Sequence, residues 1–117
     1  MGLDQYARFV EKGKYDIKEI YDDSINIGTE FFYWRKHYLL QDFMTELPLE
    51  ENIYPDWRCR ILDFNAIDSL ENHIKDNFES FKNKYEVTFD YLQDLKFIKS
   101  ARKHLKNNMI IWYCEIP

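Results

Sequence analysis

Glycine and proline are scarce, three of each in 117 residues, which leaves little material for long loops. Cysteine is scarcer: Cys59 and Cys114 are too few and too far apart to form a disulfide framework, and the expectation is two reduced thiols buried in strands. No run of about 18 apolar residues is present to span a membrane. The start Met1-Gly2-Leu3-Asp4-Gln5-Tyr6 has neither a charged n-region nor an apolar h-region, so the chain is expected to stay in the cytoplasm. Gly2 does not signal myristoylation, because Tyr6 stands where that signal wants Ser or Thr. Cations are outnumbered, 16 Lys and Arg against 21 Asp and Glu. The net charge of -5 favours solubility and opposes whole-molecule attraction to nucleic acid or anionic lipid.

Motifs that name a reaction are missing too. There is no Gly-rich phosphate loop, no G-x-S-x-G elbow and no Cys-His pairing inferable from spacing. His37, His73 and His104 stand in three separate segments, without a second His or Cys at ligand spacing, so neither zinc nor another cofactor is expected. The adjacent acids Asp22 and Asp23 precede Ser24 and read as a turn.

What the chain does have is hydrophobic and aromatic content, 45% and 18%. That is enough for one domain, 1–117, with a core rich in Phe and Tyr. Leu3 to Val10 reads as a strand ending at the turn Lys12-Gly13-Lys14. Tyr15 to Asp23 is ambiguous between strand and helix. Gly28 leads into a second strand, Thr29 to Trp34, followed by a helix over 36–47 with Leu39, Leu40, Phe43, Met44 and Leu47 towards the core. The acidic stretch 48–56, bounded by Pro48 and Pro55, is a connector. Arg58-Cys59-Arg60-Ile61-Leu62 alternates as a short strand. Asp63 or Asn65 can then cap a helix carrying Phe64, Ile67, Leu70, His73 and Ile74 on one side and fraying near Asn77. The longest helix starts near Thr88, shows Tyr91, Leu92, Leu95, Ile98, Ala101 and Leu105 as its apolar stripe, and ends at Lys106-Asn107-Asn108. Met109 to Ile116 closes the chain as a central strand. The expected order is ββαβααβ: an α+β domain with an antiparallel or mixed sheet of about four strands covered by three helices. Trp34 and Trp112 are expected inside, and Trp57 more exposed.

Two clusters are candidate sites. In Phe31-Phe32-Tyr33-Trp34-Arg35-Lys36-His37, four aromatics run into three potential cations, at the corner where a strand gives way to a helix. Arg35, Lys36 and His37 could cradle an anion, with free amides of the following helix, and Tyr33 and Trp34 beside them could stack on a nucleotide. In the alternative, Arg35 stacks on an aromatic or pairs with Glu30 or an acid of 48–56, and His37 faces water. The second cluster, Lys96, Lys99, Lys103 and Lys106, shares one face of the last helix. It reads as a phosphate or acidic-partner patch or, in the reading the acidic net charge favours, as a solvated face with cations favourably placed near a helix C-terminus. Arg102 lies nearer the apolar side and is expected to pair with a carboxylate. His73 reads as an edge-of-core residue.

The opening Met1-Gly2-Leu3-Asp4-Gln5-Tyr6-Ala7, with Trp34-Arg35-Lys36-His37 and Leu40-Gln41-Asp42-Phe43-Met44, resembles a widespread family of small bacteriophage and cyanophage proteins of unknown function. The likeness extends through Ile61 to Ile74, Tyr91-Leu92-Gln93-Asp94-Leu95-Lys96-Phe97 and Trp112-Tyr113-Cys114. The chain departs from that family in having no glycine between Phe78 and Phe89, and in stopping at Ile116-Pro117. The resemblance implies a phage accessory protein in the cytoplasm of the infected bacterium, of a kind that redirects or disarms host machinery.

Three functions are compatible with these residues. The first is a non-enzymatic binding protein that neutralises a host protein or a nucleotide-like defence signal, with aromatics for stacking beside Arg and Lys for phosphate. The second is a small hydrolase or transferase whose site assembles only in three dimensions. The third is a structural or assembly protein, and a homo-oligomer is open.

Overall fold

Eight elements follow in the order β1 (Asp4–Glu11), α1 (Ile17–Asp22), β2 (Thr29–Arg35), α2 (Tyr38–Thr45), β3 (Cys59–Leu62), α3 (Phe64–Phe81), α4 (Val87–Lys106) and β4 (Met109–Ile116). The structure is a computed structural model and describes residues 3–47, 59–81 and 87–116. The strands form one antiparallel sheet in the order β2-β1-β4-β3, so the apolar terminal strand is central, as its composition requires. The fold is α+β, with four helices where three were expected. The additional one, α1, falls in the ambiguous 15–23 stretch. It is held by a capping box in which Asp16 accepts from the Glu19 amide at 2.8 Å and Glu19 from the Asp16 amide at 3.2 Å.

Period-two alternation sends the two faces of the sheet to two cores. Ala7, Trp34, Leu62, Ile111 and Tyr113 pack with Leu40 and Met44 of α2, Ile67 and Leu70 of α3, and Phe97, Ile98 and Ala101 of α4. On the other face Val10, Cys59, Trp112 and Cys114 pack against Ile20 and Tyr21 of α1. Trp34 is 6% exposed and Trp112 fully buried; Trp57 and the 48–56 connector lie outside the described residues.

Strand β2 departs from strict alternation. Ala7 faces Phe32 and Arg8 faces Glu30, so Phe31 is an extra residue, a β-bulge. The bulge lets Phe31 join Phe32 and Trp34 on the main core, where it stacks on Phe97 at 5.8 Å. It also turns Glu30 onto the face that carries Tyr33 and Arg35. Upstream, Gly28 has φ +73, and a Cβ there would lie 2.5 Å from the Phe9 carbonyl oxygen and 2.6 Å from the Trp112 ring.

The helices correct four expectations. Helix α2 begins after His37 instead of at Lys36, because Lys36 adopts φ 55. Helix α3 continues to Phe81, past the fraying expected at Asn77; Asp63 does cap it, accepting from Ala66 N–H at 2.8 Å, while Phe64 is 44% exposed. On α4 the buried line runs through Asp94, Phe97, Ile98 and Ala101, and Leu92 is 53% exposed. At about 100° per residue Leu92 lies roughly 160° round the helix from Asp94, away from the sheet.

Candidate functional site

The corner at the end of β2 is built from backbone outwards. Asp4 faces Arg35 as the last pair of the β1–β2 ladder, and the Lys36 amide donates to the Leu3 carbonyl at 2.8 Å. Lys36 then takes up a left-handed conformation, which breaks the strand and turns the chain into α2.

His37, the N-cap of α2, points inwards and is 9% exposed. Its Nε2 lies 2.6 Å from Asp94 Oδ2, and Asp94 Oδ1 accepts from Trp34 Nε1–H at 3.1 Å, so α4 is bonded to both ends of the corner. An ionised carboxylate only accepts, which puts the imidazole hydrogen on Nε2 while Asp94 is charged. The Gln5 side-chain amide grips the His37 backbone at two points: Oε1 accepts from its N–H at 2.8 Å, and Nε2 donates to its carbonyl at 2.9 Å. Gln5 Nε2 also donates to the Tyr113 hydroxyl at 3.1 Å, and that hydroxyl donates to Glu115 at 2.7 Å. Burial and the bond to Glu115 push the Tyr113 phenol well above its ordinary range. Five side chains from β1, β2, α4 and β4, with the His37 cap, thus form one buried polar network in which both Asp94 oxygens are used.

The five sequence candidates therefore divide. Trp34 and His37 belong to the interior brace. Tyr33, Arg35 and Lys36 are exposed. Tyr33 packs on Tyr6 with ring centroids 5.2 Å apart and donates to Asp4 Oδ1 at 2.6 Å; that bond, above all, raises its phenol. Arg35 makes no ion pair with Glu30, and neither Arg35 nor Lys36 has an ion-pair partner among the described residues. His37 does not face water, because Asp94 claims it.

Lys96, Lys99, Lys103 and Lys106 are all exposed on the side of α4 turned away from Asp94, so the two basic features do not converge on one site. Arg102 does pair with carboxylates, bridging to Glu71 of α3 at 3.1 Å by two nitrogens and to Asp68 at 2.7 Å. It holds the Glu71 carboxyl below the usual range. His104 stacks on Phe9 at 4.2 Å and meets the edge of Phe31 at 4.7 Å, and burial lowers its pKa, with Lys103 adding to the effect. His73 lies 5.3 Å from the Phe43 ring, at the edge of the core. Among the described residues no three His, Cys, Asp or Glu side chains come together as metal ligands.

Reading the residues alone missed Asp94, Gln5 and Tyr113. Gln5 carried a usable signal, since it has the parity of Leu3 and Ala7, both buried, and a polar side chain on an inward face needs a partner. Asp94 carried a weaker one, an acid on the helical line of Ile98 and Ala101. No family model, no curated protein and no solved structure matches this chain.

Proposed function

We propose that this is a non-enzymatic binding protein, of the kind a phage uses to neutralise or redirect a host factor, and that it engages a partner protein along β2 and the Arg35–Lys36 corner. One observation carries the reading. Two exposed cations without an ion-pair partner among the described residues sit on a backbone that Gln5, Asp94 and Leu3 hold in place, so a partner meets them without having to order the main chain. Beside them β2 is an edge strand with exposed Tyr33.

A nucleotide-like ligand is supported less. Stacking would fall to Tyr33 and Trp34, but Trp34 is buried and the Tyr33 ring already packs on Tyr6, with its hydroxyl on Asp4. A phosphate-bearing small molecule remains the second reading on the strength of Arg35 and Lys36 alone. The enzymatic alternative would rest on the His37–Asp94 couple, yet Trp34 takes the other Asp94 oxygen and the pair is buried, which suits a brace better than an acid–base centre.

The test is capture of partners from infected-host lysate with the full chain and with Arg35→Ala/Lys36→Ala. Loss of a captured protein, with the melting temperature within a few degrees of wild type, supports the reading. Retention of every partner by the double variant overturns it, and capture that fails only when Lys96, Lys99, Lys103 and Lys106 are neutralised moves the site to α4.

A further inference from the structure

We propose that the occupant of the β2 edge is a second copy of this chain, added as an antiparallel strand about a two-fold axis through Tyr33. The inference rests on reading β2 as a binding surface: the second copy takes the strand edge, and the exposed Lys36, which turns off the strand, is left for a host factor to meet on the dimer. Among the described residues strand β2 is paired only with β1, and no backbone hydrogen bond reaches its outer side. Seven residues of mainly aromatic sequence, without proline or lysine inside the strand, form the kind of edge that recruits another strand.

The register makes this edge complementary to itself. Asp4, Tyr6 and Arg8 share one face of β1 and oppose Arg35, Tyr33 and Glu30, so those three β2 residues point to the same side of the sheet. Opposed residues in an antiparallel pair point the same way. With Tyr33 against Tyr33 of the second copy, Trp34 falls opposite Phe32. Arg35 then falls opposite Glu30, because the bulge at Phe31 takes one residue out of the count, as it does in the pairing with Arg8. The symmetry makes the Glu30–Arg35 contact twice. Without the bulge Arg35 would meet Phe31 instead. Glu30 and Arg35 are both exposed and neither makes an ion pair within the described residues, so each is available. Lys36 turns off the strand and stays outside the pairing.

Sedimentation velocity of the full chain from micromolar to near-millimolar concentration tests the pairing. Wild type should show a reversible monomer–dimer equilibrium. Glu30→Arg and Arg35→Glu should each weaken it roughly tenfold or more, and the double exchange Glu30→Arg/Arg35→Glu should restore it. A second measurement does not depend on charge: Tyr33→Cys should cross-link to itself in oxidised glutathione far faster than Ile17→Cys, an exposed position on α1. A monomer at every concentration, or a dimer indifferent to both charge reversals, overturns the proposal. A monomer that still loses a captured host protein on Arg35→Ala/Lys36→Ala assigns the edge to a foreign chain, overturning the second copy while leaving the binding function intact.

Discussion

His37 and Asp94 stand 57 positions apart in the chain and meet at 2.6 Å inside the protein, one at the mouth of α2, the other in the middle of α4. Asp94 in turn receives the Trp34 N–H, so one carboxylate fixes where β2 ends and how α4 lies across it. Asp94→Ala removes both acceptors and leaves the buried N–H of Trp34 and the His37 imidazole without their partner. The expected cost is about 2 to 3 kcal/mol in urea unfolding. A midpoint within error of wild type would mean that the network adds nothing to stability.

Gly28→Ala should be among the most damaging single changes in the fold. The added methyl would collide with the Phe9 carbonyl and the Trp112 ring at a left-handed φ, and neither backbone nor buried indole can yield. Overpacking and backbone strain together predict a loss of about 3 kcal/mol. Thermal melts decide it, and a drop of less than a degree would show that the 26–29 segment repacks freely.

Acid should loosen the Arg102–Glu71 bridge between α3 and α4. Arg102 depresses the Glu71 carboxyl below its ordinary 4.5, so this pair's stabilisation is present above that value and is lost as pH falls through the folded-state pKa. The contact is partly solvated, and its contribution at neutral pH is modest, under about 1 kcal/mol. Arg102→Ala should therefore lower stability at pH 7, and its difference from wild type should shrink as pH falls through the folded-state pKa of Glu71. Parallel stability curves for the two proteins across that range would remove Glu71 as the linked group.

Cys59 and Cys114 oppose each other across β3 and β4, both buried and without a disulfide, and the Cys114 thiol donates to the Ser24 carbonyl at 3.9 Å. Burial pushes each thiol up to about 12, so at pH 8 both stay protonated and shielded. Native protein should react with Ellman's reagent at least a hundredfold more slowly than protein in denaturing urea. Fast reaction of one thiol without denaturant would show that β3 opens.

The segment Leu3 to Val10, the aromatic run at 31–34 and the apolar close at 109–116 read as strands because β-favouring side chains and the turns that bound them are local properties. The helical lines of 39–47, 64–74 and 91–105 were legible for the same reason, and so was the choice of Met109–Ile116 as the central strand, since only a strand covered on both faces is apolar throughout. The Asp16–Glu19 box was also in the sequence, though six residues are too few for a periodicity to show.

What tertiary structure decided was direction and partnership. Trp34, Arg35, Lys36 and His37 are consecutive, yet two turn inwards and two outwards. Their fates depend on a left-handed Lys36 and on an acid from another helix. The bulge at Phe31, which puts Glu30 and Arg35 on one side of an open edge, appears only in the register with β1. Composition counts Asp94 as one more solvated charge; its burial is favourable only because Trp34 and His37 arrive from a distant segment to satisfy both oxygens, a condition that no local pattern encodes.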